Sequence, residues 1–195
     1  MLPTFDISIK MIQVVDNFLP DLTFKSLQKT FLTSRNWAYC QGTVIESSEN
    51  DLGNFFFTFD LTSNLAITNT LLKRINQEFL PEKSIQIQKC TINLTTFSHS
   101  NFQADAHIDY GAMHYVMILY MNETDGNTII YDEQWNDSKP QIYNKNERDR
   151  LKVAKIISPK ENRCVFFDGR YFHSYYFPQQ HNRRLVINTN IIVQE

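Results

Sequence analysis

The two halves of this chain carry different residue patterns, and the change between them constrains the fold more than any other feature. Before residue 82, two amphipathic stretches predict helices. The first opens at Pro20-Asp21, and the second follows Ser63, which we expect to cap it, and ends before Pro81. Segments 9–16 and 53–60 predict strands. Beyond residue 83, seven short segments rich in β-branched and aromatic residues predict strands over 85–97, 114–121, 127–131, 152–157, 164–167, 171–176 and 184–193.

Helices followed by many short strands indicate an α+β fold whose main body is an antiparallel barrel or sandwich. A length of 195 residues matches one domain. We therefore expect a single domain over 1–195, with a helical support region over 1–82 and the barrel core over 83–195. Residues 132–150 are polar and lack periodicity, so we interpret them as an inserted, mobile loop over a site.

Composition excludes several classes of protein. The 19 Lys and Arg against 21 Asp and Glu give a net charge of -2, so bulk electrostatic capture of nucleic acid is not expected. The apolar content of 42% is too high for a disordered chain, yet no window approaches the roughly 18 apolar residues of a membrane span. The 3 cysteines are widely spaced and predict small buried residues, without a disulfide framework. We expect a soluble, cytoplasmic protein, because the N-terminus lacks the pattern of a secretory signal.

The pair His107 and Asp109 carries the clearest chemical signal. At a spacing of two on a strand, both side chains project to the same face. An imidazole and a carboxylate are two of the three ligands of a facial triad, which holds Fe(II) and leaves open coordination positions. Taken alone, the pair is better explained as part of a surface strand with two polar residues.

Residues later in the chain favour the metal interpretation. His173 lies on a predicted strand that an antiparallel barrel can place beside His107. Arg183 and Arg184 open an apolar strand, and an arginine inside a barrel needs an anion, because a buried unpaired guanidinium is costly. A dicarboxylate cosubstrate would supply that anion through paired hydrogen bonds. A salt-bridged strand edge is the alternative for the two arginines.

The order of these motifs resembles that of the Fe(II)/2-oxoglutarate-dependent dioxygenases, and within them the prolyl 4-hydroxylase-like branch. The resemblance covers nearly the whole chain and is carried by His107-x-Asp109, Tyr120 to Asn122, Gly126 to Thr128, and Arg163 to Gly169 leading to His173 and Arg184. It implies a double-stranded β-helix, the jelly-roll or cupin-like barrel, with two N-terminal helices packed on the major sheet. The chain departs from the branch at Phe97, where a tyrosine is frequent.

The resemblance also implies the site residues and cofactors. It assigns Fe(II) to His107, Asp109 and His173, and the cosubstrate 2-oxoglutarate to Arg184 or Arg183, Tyr120, Thr128 and Asn188. Arg184 is preferred as the clamp on the distal carboxylate because an apolar and then a β-branched residue follow it. Dioxygen is the second cosubstrate, and ascorbate an optional reductant. We interpret His99, His114 and His181 as surface residues or neighbours of the ligands.

The expected activity is hydroxylation of an unactivated C–H bond, most plausibly in a peptidyl residue such as proline. A free amino acid, another small metabolite or a nucleobase stays open as the substrate, although the acidic balance argues against nucleic acid. The non-enzymatic alternative is a cupin-like barrel that binds a metal or a ligand. The sequence does not indicate the oligomeric state.

Overall fold

Strands dominate the structure and form two sheets. The computed structural model describes residues 12–34, 37–40 and 56–194. Its elements are β1 (Ile12–Val15), α1 (Asp21–Thr33), β2 (Ala38–Cys40), β3 (Phe56–Asp60), α2 (Leu65–Glu78), β4 (Ile85–Thr96), β5 (Ala106–His107), β6 (Tyr115–Tyr120), β7 (Thr128–Gln134), β8 (Ile142–Tyr143), α3 (Lys145–Arg148), β9 (Val153–Ile157), β10 (Cys164–Asp168), β11 (Tyr171–Tyr175) and β12 (Arg183–Val193). The larger sheet has the order β1-β10-β6-β12-β4-β3-β2 and the smaller has the order β8-β5-β11-β7-β9. The pairings within both sheets are antiparallel.

Strand β6 shows how the larger sheet divides the core. Its side chains alternate between two faces. Leu119 points to the helical side, where it shares a cluster with Phe24 of α1 and Leu71 of α2. Ile118 points the other way and shares a cluster with Ile130 of the smaller sheet. The two helices therefore cover one face of the larger sheet and the smaller sheet covers the other, which is the α+β arrangement expected from the sequence.

The two long helices begin where polar or proline residues stop the preceding chain. Pro20 precedes the first residue of α1, as predicted. The cap of α2 is Asn64, not the predicted Ser63, and its side chain accepts a hydrogen bond from the backbone N–H of Ile67 at 3.3 Å. Both residues are good cap formers, so the sequence alone could not decide between neighbours.

The polar segment 132–150 contains regular secondary structure, which the sequence did not predict. Strand β7 continues into it as far as Gln134, and β8 and α3 follow within it. A capping box formed by Asn144 and Glu147 opens α3. Trp135 and Tyr143 pack against the outer face of the smaller sheet. Periodicity missed these elements because strands of two residues and helices of one turn are too short to show a period.

The other predicted elements occur close to their expected positions. Of the predicted strands 9–16 and 53–60, the described parts form β1 and β3, while β2 carries no signal in the sequence. Cys90 and Cys164 are buried free thiols, as predicted, and the side chain of Cys40 lies outside the described residues. None of the helices within the described ranges has the length and apolar character needed to cross a membrane.

An ion pair ties the end of β1 to the start of β10. The guanidinium of Arg163 donates to both carboxylate oxygens of Asp16, at 2.6 and 3.1 Å, and Lys160 donates at 3.0 Å. The hydrogen bond from Arg163, with that from Lys160, lowers the pKa of Asp16 from 3.8 to about 2. Because the folded-state pKa is depressed, the stabilisation is present above pH 3.8 and is lost as the pH falls towards 2.

We expect Asp16→Asn to lower the free energy of unfolding by about 1 kcal/mol at pH 6, a value limited by solvent screening of a partly exposed pair. The difference from wild type should shrink as the pH approaches 2. Urea denaturation at several pH values measures this effect, with Asp137→Asn, an exposed carboxylate, as the control. A difference that stays constant with pH would contradict the ion-pair assignment.

Candidate metal centre

Two histidines lie opposite each other on neighbouring strands of the smaller sheet. Strand β11 pairs with β5, and in that register His173 is the direct partner of His107. The two imidazole ring centres are 4.6 Å apart. Oδ1 of Asp109 lies 3.7 Å from Nε2 of His107 and 3.8 Å from Nε2 of His173. The structure therefore brings together the three side chains that the sequence predicted as metal ligands.

Backbone carbonyls fix the tautomer of both imidazoles. Nδ1 of His107 lies 3.0 Å from the carbonyl oxygen of Asp105, and Nδ1 of His173 lies 3.3 Å from that of Tyr171. A carbonyl oxygen only accepts hydrogen bonds, so each Nδ1 carries the hydrogen. Each Nε2 then has a free lone pair, and both lone pairs face Oδ1 of Asp109. Metal-binding histidines are oriented in this way.

Asp109 reaches the site from a bend, since β5 ends at His107. The sequence predicted that His107 and Asp109 lie on one strand, and this is wrong. Their side chains nevertheless lie close together, as predicted. Two amides on β12 orient the carboxylate: Asn188 and Asn190 donate from Nδ2 to Oδ2 of Asp109, at 3.0 and 2.8 Å. Oδ1 is left facing the imidazoles.

The charges at this cluster suit a cation. Burial, reinforced by the neighbouring imidazole of His107, lowers the pKa of His173 to about 4, so this side chain is neutral at pH 7. Burial raises the pKa of the Asp109 carboxyl, but the two imidazoles and the two amides outweigh it, and the pKa lies well below its usual range. The cluster thus places an ionised carboxylate beside the neutral imidazole of His173.

The donor set matches a divalent transition metal. Two imidazole nitrogens and one carboxylate oxygen are the ligands of the facial triad that binds Fe(II). Their three ligating atoms lie within 4.8 Å of one another, close enough for one ion to contact all three. The neutral imidazole of His173 and the ionised carboxylate of Asp109 are already in the protonation states that a metal requires.

A buried guanidinium lies at another part of the same interior. Arg184 on β12 is 3% exposed, whereas its neighbour Arg183 is exposed to solvent. Its Nε donates to the carbonyl of Gly126 at 2.9 Å, and its Nη2 donates to Oγ1 of Thr128 at 2.9 Å. Its guanidinium carbon lies 4.6 Å from the ring centre of Tyr175. Among the described residues, no carboxylate forms an ion pair with Arg184.

Tyr120 and Thr128 join this arginine in one hydrogen-bonded group. The hydroxyl of Tyr120 donates to Oγ1 of Thr128 at 2.6 Å. Oγ1 of Thr128 therefore accepts two hydrogen bonds, one from Tyr120 and one from Arg184, and its own hydrogen is directed elsewhere. Burial lowers the pKa of Arg184 from its ordinary value, yet a guanidinium stays protonated at any physiological pH. The group is a fixed positive charge without an anionic partner in the described chain.

Gly126 is required by the close approach of this arginine. A Cβ at position 126 would lie 2.7 Å from the carbonyl oxygen of Tyr176 and 2.9 Å from Cδ of Arg184. Both distances are shorter than van der Waals contact, and the carbonyl belongs to the backbone. A larger residue would therefore displace Arg184.

The other histidines are not members of the ligand cluster. His99 and His181 are exposed, as predicted, and Nδ1 of His181 lies 2.9 Å from Asp125. His114 was predicted as a surface residue or a neighbour of the ligands, and since it is 1% exposed the first alternative is wrong. Its ring packs against Gly169, a contact that the sequence gives no means to foresee. Phe97 is 38% exposed.

Sequence reasoning also missed the residues that brace His107 from the segment 132–150. Strand β8 pairs with β5, with Ile142 opposite His107. Nη1 of Arg148 donates to the carbonyls of Gln103 and Ala104, at 2.6 and 3.0 Å. These carbonyls directly precede Asp105, whose own carbonyl fixes the His107 tautomer. Arg148 is 6% exposed although it lies in a polar stretch, and no pattern in the sequence separates it from its exposed neighbours.

We expect Arg148→Met to lower the free energy of unfolding by about 2 kcal/mol, because two buried carbonyls lose a charged donor. Urea denaturation measures the change. The matched control is Arg150→Met, because Arg150 is exposed two positions away. Equal effects of the two substitutions would contradict the bracing role of Arg148.

Comparison with known proteins identifies the fold. No protein-family model matches the sequence, and no curated protein matches it. Among solved structures, SnoN, a non-heme alpha ketoglutarate dependent epimerase from nogalamycin biosynthesis, has a TM-score of 0.63 at 12% identity, over 93% of this chain and 77% of that chain. A Trichoplax adhaerens prolyl hydroxylase, solved with a hypoxia inducible factor peptide, has a TM-score of 0.59 at 16% identity, over 93% and 83%. A Pseudomonas putida prolyl-4-hydroxylase has a TM-score of 0.54 at 14% identity, over 97% and 96%.

The chain thus has the jelly-roll fold of the 2-oxoglutarate-Fe(II) oxygenases, as the sequence predicted. Prolyl hydroxylases are one of several kinds of neighbour, beside an epimerase and a carbocyclase. At 16% identity and below, the likeness establishes the fold and leaves the substrate open, since one fold hosts many functions.

Proposed function

We propose that this protein is a non-haem Fe(II)- and 2-oxoglutarate-dependent dioxygenase that hydroxylates an unactivated C–H bond. The observation that carries the proposal is the distribution of side chains along β12. Arg184, Asn188 and Asn190 are spaced by even numbers of residues, so their side chains project from the same face of this strand. Val186 lies on that face and packs between the two sheets. One strand thus presents the buried cation and the amides that hold the carboxylate of Asp109 to the same interior.

The metal would be held by Nε2 of His107, Nε2 of His173 and Oδ1 of Asp109. Support comes from the two fixed tautomers and from the orientation of the carboxylate. A neighbour, SnoN, has been solved with Fe3+ and alpha ketoglutarate, and its fold is shared by this chain.

The distal carboxylate of 2-oxoglutarate would bind at Arg184. Among the described residues the guanidinium donates only to neutral oxygens, and an anion there would offset the cost of burying its charge. Thr128 would donate its remaining hydrogen to the same carboxylate. Tyr120 would act through Thr128, because its own hydrogen is already donated to Oγ1 of that residue. Arg183 is exposed on the opposite face and is not part of the proposed clamp.

When bound, Fe(II) and 2-oxoglutarate supply the oxidising chemistry, in which O2, 2-oxoglutarate and a C–H bond become succinate, CO2 and an alcohol. The protein's own residues orient the reactants and exclude water. Apolar side chains between the sheets, such as Ile118, Ile130 and Val186, keep the interior dry. Dry surroundings strengthen the attraction between Arg184 and a carboxylate.

The experiment that tests this proposal measures succinate formed by the full chain with Fe(II), 2-oxoglutarate and O2, in the presence of peptide and metabolite libraries. The mass of the product should exceed that of the substrate by one oxygen atom. One molecule of hydroxylated product should form for each molecule of succinate. A protein that binds metal but never consumes 2-oxoglutarate, with or without a substrate, would favour the cupin-like binding barrel instead.

A peptidyl residue such as proline is our first choice of substrate. It is supported by the two prolyl hydroxylases among the neighbours, one of which was solved with a peptide fragment. A small molecule is the second candidate, favoured by SnoN, which was solved with nogalamycin RO. The library screen separates the two, because hydroxylated peptides and hydroxylated metabolites are found in different fractions.

Arg184→Ala should weaken 2-oxoglutarate binding at least tenfold, because a buried charged donor pair is lost. The absorbance that arises when 2-oxoglutarate chelates Fe(II), recorded without O2, measures the binding. Arg183→Ala is the matched control and should leave the absorbance titration unchanged. If wild type, Arg184→Ala and Arg183→Ala gave the same titration, Arg184 would not be part of the 2-oxoglutarate site.

Gly126→Ala should raise the KM for 2-oxoglutarate about tenfold, since the new methyl group forces Arg184 from its position. Steady-state kinetics with varied 2-oxoglutarate measures the change. Gly111→Ala is the control and should keep the wild-type KM, because its added methyl group clashes only with the end of the flexible Gln141 side chain, which can move aside. A KM equal to wild type in Gly126→Ala would show that the close packing at this glycine does not position the clamp.

A further inference from the structure

One oxygen of Asp109 is fully occupied by protein hydrogen bonds. Oδ2 accepts from Nδ2 of Asn188 at 3.0 Å and from Nδ2 of Asn190 at 2.8 Å. A carboxylate oxygen has two lone pairs in the plane of the group, so two donors use both of them. The other oxygen, Oδ1, faces the two imidazole nitrogens.

The two donors cannot become ligands themselves. An amide nitrogen donates hydrogen bonds and offers no lone pair to a metal. The carboxylate only accepts, so each amide must turn its nitrogen towards Asp109. The side-chain oxygen of Asn188 is left buried with no hydrogen-bond partner among the described residues, which shows that the contact with Asp109 dictates the orientation of this amide.

The strand that carries both amides is held firmly on its two sides. Asn188 pairs with Ile118 of β6 and with Thr91 of β4, and Asn190 pairs with Val116 of β6 and Lys89 of β4. A central strand of a seven-stranded sheet has no free edge along which to shift. The two amides are therefore held in fixed positions beside the carboxylate of Asp109.

We propose that Asn188 and Asn190 restrict Asp109 to coordination through Oδ1 alone and thereby keep three adjacent metal positions open. This inference rests on the proposed function, in which the metal would have to accept 2-oxoglutarate and O2 beside its three protein ligands. A carboxylate that bound through both oxygens would fill one of the three. The two asparagines are positioning residues, since they touch the ligand and not the metal.

The competing explanation is that the amides merely satisfy a buried carboxylate oxygen. That role would affect folding stability but not the number of open metal positions. The number of water molecules bound to Mn(II) distinguishes the two explanations, because each open position of the loaded protein holds one water. Water-proton relaxation measures this number without any turnover.

The test compares wild type with Asn188→Leu, Asn190→Leu and the double variant, since leucine has a similar branched shape and no N–H. Wild type should bind one Mn(II) with about three water ligands. The double variant should hold about two, with relaxation enhancement per bound Mn(II) lower by roughly a third. Thr189→Val is the matched control, because Thr189 lies between the two asparagines and contacts Cys90 on the opposite face. It should retain the wild-type value.

The experiment distinguishes failure of the proposed function from failure of the role proposed for the asparagines. Wild type that binds no Mn(II) would remove the proposed function itself. Wild type and double variant with the same number of water ligands would overturn only the role of the asparagines. If the double variant does not fold, the single variants decide, because each frees one lone pair of Oδ2 for the metal. Unchanged water numbers in both single variants would overturn the inference.

Discussion

Two opposite charges are buried in the interior of this protein, and among the described residues neither has a permanently charged partner of opposite sign; the arrangement of the site depends on both. Asp109 is ionised beside two imidazoles, of which His173 is neutral at pH 7. Arg184 is protonated among neutral oxygens. Burying either charge alone is costly. A divalent cation at Asp109 and a dicarboxylate that reaches from that cation to Arg184 would leave the four charges balanced. The residues of the site therefore set the charges of the two ligands that we propose for it.

The strand β12 connects the two charges. It carries Arg184 near its start and the two asparagines that hold Asp109 further along, on one face. Its opposite face packs on the helices through residues such as Leu185 and Ile187. Stability of the helical layer and geometry of the site are thus properties of the same strand. A substitution on the helical face that shifts β12 would move both the arginine and the amides.

Much of this architecture could be predicted from the sequence, because helices and strands produce repeating patterns of apolar residues. Strands β6, β7 and β9 to β12 follow short runs of β-branched and aromatic residues, and α1 and α2 follow apolar stripes. His107, Asp109, His173 and Arg184 were selected from residue type and order together with the family resemblance, and the structure places the first three side chains close together.

The rest depends on contacts between residues far apart in the chain. Asn190 looks like any polar residue in a strand, and only the pairing of β12 with its neighbours brings it to Asp109. Arg148 sits in a polar segment, and its burial arises from carbonyls more than forty positions earlier. The choice of Asn64 over Ser63 as a helix cap is a matter of one hydrogen bond. Such details follow from tertiary packing, which local patterns do not encode.

The proposals for this site all depend on His107, Asp109 and His173 binding one divalent cation together. Anomalous diffraction from a crystal of the full chain soaked in Mn(II) tests this directly. We expect a single strong peak at about 2.1 Å from Nε2 of His107, Nε2 of His173 and Oδ1 of Asp109. A fully occupied ion elsewhere, with these three side chains unligated, would contradict it.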